Sequence, residues 1–253
     1  MAASAGIRTP GNAQAGKGAS MNPSPLMPLD VASATFLLLT AAMSATTVLL
    51  LMSSHWVSPR WRLPVALSTL VPLIGVFHYA LSCLVWLRMH DMPVVYRYVD
   101  WMIAQPLQVL TLYFLIQTIT STPTGLFWRL LIASVAMVLA RYMGETDLLY
   151  PTLGFLIGLI LWLYVLGEAY FGRMAEINAQ GGSDPVRLGF FWMRLILTIG
   201  WALYPLAYLI VRLGSGADAA RLMVIYNLAD LINQIAFALA LLATAINDSA
   251  HSR

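Results

Sequence analysis

Apolar runs of roughly 20 residues recur seven times along the chain, and each is long enough to carry a helix across the hydrocarbon core of a bilayer. They fall at 31–53, 63–87, 94–119, 126–143, 149–171, 188–213 and 221–246. Lipid admits only helices and closed barrels, and these runs lack the inside/outside alternation of a barrel strand. The predicted fold is therefore an all-α membrane protein, a bundle of seven transmembrane helices. The breaks carry turn chemistry: Ser58-Pro59, Asp91-Met92-Pro93, Thr122-Pro123-Thr124-Gly125, Gly181-Gly182-Ser183-Asp184-Pro185 and Gly214-Ser215-Gly216. Residues 1–29, rich in Ala, Gly, Ser, Asn and Pro, read as a disordered lead with no signal peptide. The expected organisation is that lead, a single seven-helix domain over 30–247, and a C-terminal tail over 248–253.

Composition narrows the picture. Of 253 residues, 60% are apolar and only 10% charged, too little polar surface for a soluble domain of this size. The formal charge of +3 is small and scattered, so a nucleic-acid partner is not expected; the partner is the lipid bilayer. The single cysteine, Cys83, can form no internal disulfide. No Cys/His cluster has metal-ligand spacing and no nucleophile–base pair is visible, so neither a metal site nor an enzyme is expected. Arg60, Arg62, Arg129, Arg173 and Arg187 fall in odd-numbered connections, against Arg88, Arg141, Arg212 and Arg221 in even-numbered ones. That bias favours an outside N-terminus and a cytoplasmic C-terminus.

Charges inside the hydrocarbon cost about 2.5–3.5 kcal/mol each on insertion scales, so each is a functional candidate. Arg97 and Asp100 lie on the third run, Asp230 on the seventh, and His78 mid-way along the second. Arg97 and Asp100 share a helix face that continues through Trp101, Ala104, Gln108 and Thr111. Taken alone, the stripe reads equally as an ion pair locking the third helix to its neighbours. His78 reads as a satisfied core histidine, and Trp201, Tyr204, Pro205 and Tyr208 as packing around a proline kink.

The motifs become specific when read together. Arg97-Tyr98-Val99-Asp100-Trp101 with Pro106, Trp201-Ala202-Leu203-Tyr204-Pro205, Tyr226 to Asn233, His78-Tyr79 and Arg141 to Glu145 stand in order on successive runs. This set resembles microbial rhodopsins of the proteorhodopsin/xanthorhodopsin type over about residues 29–246. The resemblance implies that Asp100 is the primary counterion and proton acceptor with His78 as its hydrogen-bonded partner. It implies Asp230 as second counterion and Arg97 as guard of the extracellular side. Trp101, Trp162, Trp201, Tyr204, Pro205 and Tyr208 would line a retinal pocket, with Gln108 at the position where glutamine favours blue absorption. It also implies a multi-pass protein of the bacterial inner membrane that forms trimers or pentamers.

The chain departs from that pattern where the chromophore is attached. The lysine expected one helical turn after Asp230 is Gln234, and an amide cannot form an imine with an aldehyde. The only lysine in the chain is Lys17, in the lead. The threonine expected one turn after Asp100 is Ala104, and the proton donor's position holds Thr111, so the proton path is lost with the attachment site. Phe155 stands near the spot where antenna-bearing relatives keep a glycine, which argues against a carotenoid there. Without the imine cation, Arg97, Asp100 and Asp230 sum to −1, which predicts a proton shared by the aspartates or a cationic His78. The functional expectation is a rhodopsin-like protein without covalent retinal, not a light-driven pump by itself. It would act as a partner, regulatory or oligomer-forming subunit, alone or with a lysine-bearing rhodopsin. The alternative is a photoreceptor or carrier that binds retinal or another polyene noncovalently.

Overall fold

The structure is a computed structural model that describes residues 30–91, 94–213 and 219–251; the predicted lead lies outside them. All seven predicted runs are helices. They are α1 (Val31–Ser53), α2 (Arg62–Met89), α3 (Val94–Gln117), α4 (Thr124–Glu145), α5 (Pro151–Tyr170), α7 (Asp184–Leu213), and a last span built of α8 (Ala219–Asp230), a π-helical turn (Leu231–Ala236) and α9 (Phe237–His251). Consecutive helices pack side by side, and α1 closes the ring against α2 and α8. Of the seven spans α3 is the most enclosed, so its polar stripe faces protein and not lipid.

The helix ends follow from local chemistry. Asp30 caps α1 by accepting from the Ser33 backbone N–H at 2.7 Å, and the Trp86 indole donates to it at 2.8 Å, tying the start of α1 to the end of α2. Partial burial would raise the Asp30 carboxyl. The Ser33 and Trp86 hydrogen bonds, with His90 nearby, outweigh it and hold the carboxyl below the usual carboxylate range. His90 ends α2 in the left-handed conformation at φ 50°. Pro151 opens α5, where its missing N–H costs nothing.

Two parts of the chain differ from expectation. The connection after the fifth span contains a further helix, α6 (Arg173–Gly181), too short and polar to cross a bilayer, which buries Met174 and Ile177. The tail predicted from 248 is helical as far as His251, because Asp248 and Ser249 are buried anchors. Asp248 accepts from the Trp61 indole and the Arg60 guanidinium, both at 2.6 Å, and from the Ser183 hydroxyl at 2.7 Å. Ser249 accepts from the Ser58 backbone at 2.8 Å. One turn of α9 thus ties down the starts of α2 and α7, a reason for order that hydropathy alone does not register.

Between α4 and α5 the backbones nearly touch. A Cβ on Gly154 would lie 2.7 Å from the Gly144 Cα, so no side chain fits there. One turn further along α5, a Cβ on Gly158 would collide with the Arg141 side chain. Glycine at 158 therefore leaves room for an arginine to pass from α4 into the bundle.

Candidate functional site

Four elements bring polar groups to the middle of the bundle. The π-helical turn holds one extra residue per turn, which frees backbone carbonyls from the regular ladder. The Gln108 amide, from α3, donates to one of them, the Asn233 carbonyl. This bond and the widened turn set the direction of Gln234, which is 2% exposed. Its Nε2 donates to Asp100 Oδ2 at 2.7 Å, and its Oε1 sits against Gly75 of α2. An amide from the π-helical turn thus meets Asp100 directly.

Asp230 is held differently. Its carboxylate accepts from the phenols of Tyr79 and Tyr204, on α2 and α7, and from the Trp101 indole at 3.2 Å. Asn233 extends the network by donating to the Tyr204 hydroxyl at 2.9 Å. Asp230 is 4% exposed, and three donors from three helices are what a buried carboxylate needs in place of water.

The other predicted residues occupy varied places. Arg97 does not pair with Asp100: no ion pair joins it to a carboxylate among the described residues, and its guanidinium lies 4.5 Å from the centre of the Tyr226 ring. The locking ion pair is therefore corrected to a cation–π contact. His78 is not the hydrogen-bonded partner of Asp100 either. Its Nε2 faces the Ser82 hydroxyl at 3.4 Å, on its own helix, and Gln234 has taken the contact with Asp100. Trp101 turns its indole to Asp230 and packs on Tyr204 at 4.6 Å, inside the polar network. Thr111 spends its hydroxyl on the Leu107 carbonyl at 2.7 Å, and Ala104 is buried. Trp162, Trp201, Tyr204 and Pro205 line one cavity. Tyr208 stands outside it, stacked on Phe155 at 5.0 Å and 14°.

The residue that decides what the cavity can hold is Arg141, which opens the Arg141 to Glu145 motif but carries no expected role there. Arg141 lies on α4 and reaches inward past Gly158, placing its guanidinium 5.6 Å from the Trp101 ring and 5.7 Å from the Tyr204 ring. By sequence it counts with a connection, because the fourth apolar run ends two residues later. A signal was present all the same: Arg141 falls within the run, one turn before Glu145. Arg194 on α7 is a second such cation, stacked on Tyr170 at 4.5 Å.

Retinal does not fit the residues present. No lysine lies among the described residues, Gln234 is committed to Asp100, and Arg141 enters the cavity. The volume left between Arg141, Trp162, Trp201 and Pro205 is about 20 Å³. A drug-sized ligand needs about 300–1,000 Å³.

Comparison with known proteins adds the lineage. Residues 30–248 match the family model described as bacteriorhodopsin-like protein. The chain is 35% identical over 225 residues to the blue-light absorbing proteorhodopsin of Gamma-proteobacterium Hot 75m4, covering 88% of this chain and 89% of that one. It is 34% identical over 224 residues to the green-light absorbing proteorhodopsin of Gamma-proteobacterium EBAC31A08, covering 88% and 90%. The crystal structure of the blue light-absorbing proteorhodopsin from Med12 superposes with a TM-score of 0.75 at 33% identity, over 87% of this chain and all of that one.

Proposed function

This chain belongs to the bacteriorhodopsin-like protein family, and from that premise we propose that it is a rhodopsin-fold membrane subunit which holds no retinal covalently and does not pump ions by itself. It works as a partner or regulatory subunit, in a homo-oligomer (pentamer or trimer) or beside a lysine-bearing rhodopsin. The observation that carries this reading is the Gln234–Asp100 hydrogen bond of 2.7 Å, which gives one oxygen of the Asp100 carboxylate a neutral amide donor. Ala104 and Thr111 support it, since neither side chain has an acidic proton to pass along α3. The arginine distribution supports a place in the bacterial inner membrane with the N-terminus outside and the C-terminus in the cytoplasm.

Noncovalent binding of retinal or another polyene is the second reading. Its support is the aromatic lining from Trp162, Trp201 and Tyr204, and its obstacle is the room that Arg141 takes. Co-expression of the tagged chain with an untagged lysine-bearing proteorhodopsin and retinal tests the subunit role. Affinity purification through the tag is expected to bring down visible absorbance in a defined ratio. A colourless product, with the proteorhodopsin left in the flow-through, contradicts a mixed oligomer; a single monomer mass in native mass spectrometry contradicts self-assembly as well.

A further inference from the structure

The cavity lined by Arg141, Gln105 and Trp201 holds hydrogen-bond donors that the protein leaves without acceptors among the described residues. Arg141 forms no ion pair among the described residues, only its ring contacts with Trp101 and Tyr204. The Trp201 indole nitrogen is buried without a hydrogen-bond partner, and Trp201 is 3% exposed. Gln105, also 3% exposed, lines the same cavity and makes no side-chain hydrogen bond among the described residues. A guanidinium, an indole N–H and an amide converging within an apolar bundle ask for an acceptor carrying negative charge.

A route leads to this place from the lipid. Arg141, Glu145, Pro151, Phe155 and Tyr208 border a small cleft beside the cavity. Beyond the stacked pair of Phe155 and Tyr208, a groove of about 410 Å³ opens between α5 and α7, lined mainly by apolar side chains such as Pro151, Leu156 and Leu209. That volume lies in the range of small-molecule sites. Glu145, the one carboxylate bordering the cleft, accepts from the Tyr98 phenol at 2.6 Å.

The geometry points to a binding site for a single-chain carboxylate drawn from the bilayer: its tail lies in the α5–α7 groove, and its head passes Phe155 and Tyr208 to reach Arg141. The head must be small, because the cleft and cavity behind the ring pair offer only about 10 and 20 Å³. A planar carboxylate matches the guanidinium fork, whereas a phosphodiester headgroup is too large to pass. The inference rests on the reading that retinal does not occupy the chain. A visible spectrum of a parallel sample, recorded after retinal is added and the free ligand removed, tests that reading separately, so the two can fail independently.

The test uses the detergent-purified full chain and two fluorescent or absorbing acids, cis-parinaric acid and all-trans retinoic acid, each beside its methyl ester. Saturable quenching of tryptophan emission reports binding near Trp162 and Trp201. The native protein is expected to bind at least one acid about tenfold more tightly than its ester. Arg141→Gln is expected to erase that preference and Arg141→Lys to keep part of it. Preference for parinarate alone assigns an acyl tail, and preference for retinoate alone an isoprenoid one; either supports the site. Equal affinity for acid and ester, a preference that survives in Arg141→Gln, or no saturable binding of either acid overturns it. So does displacement of the acid by millimolar chloride, which marks a small-anion site only.

Discussion

Gln234→Lys, expressed with all-trans retinal, is expected to stay colourless, while the double variant Gln234→Lys/Arg141→Gly is expected to form a visible pigment. Restoring the amine repairs only the chemistry of attachment. The lysine would face Asp100 and Asp230 as the family pattern requires, but Arg141 would still hold the cavity to about 20 Å³. It would also place a second cation near the new imine, and like charges in a poorly screened interior repel by several kcal/mol. Removing the arginine side chain releases both volume and charge. Gly158, which no longer has an arginine to accommodate, then borders open space for the polyene. Absorbance after retinal addition decides the matter. A red-shifted band in the single variant shows that Arg141 is no obstacle, and a colourless double variant shows that the rest of the pocket has been lost.

The second large effect concerns stability. Asp230→Ala is expected to destabilise the bundle by about 3–5 kcal/mol, because each buried donor left without its acceptor costs about 1–3 kcal/mol. Tyr79, Tyr204 and Trp101 would each lose their acceptor at once, and they belong to α2, α7 and α3. Asp100→Ala is expected to cost less, about 1–3 kcal/mol, because Gln234 is its only hydrogen-bond donor among the described residues. Thermal unfolding of the two variants in the same detergent should rank them in that order. The reverse order would place the structural weight of the core on the Asp100–Gln234 pair instead.

How much of this was legible in the sequence depended on the kind of signal. The seven helices were, because a bilayer turns apolar length directly into structure. The two aspartates and Gln234 were as well, because charge in lipid and a missing lysine are visible one residue at a time. Contacts between distant residues were not. The spacing of Arg97 and Asp100 admits an ion pair, but Tyr226 supplies a ring for the guanidinium and Gln234 an amide for the carboxylate. His78 has the position expected of a counterion's partner but faces Ser82. Arg141 lies close to the end of its run, and only the Gly158 opening on the neighbouring helix turns it inward. Asp248 looks like the start of a tail because its donors Arg60, Trp61 and Ser183 come from other parts of the chain.

The interior of the bundle is built around an amide and an arginine, Gln234 on Asp100 and Arg141 in the aromatic cavity. The most direct measurement is to incubate the native full-length protein with all-trans retinal, record the visible spectrum, then reduce with borohydride and record the intact mass. The account predicts an unchanged mass and no band beyond that of free retinal. A mass increase of one retinyl group, or a red-shifted band that survives removal of free retinal, would contradict it.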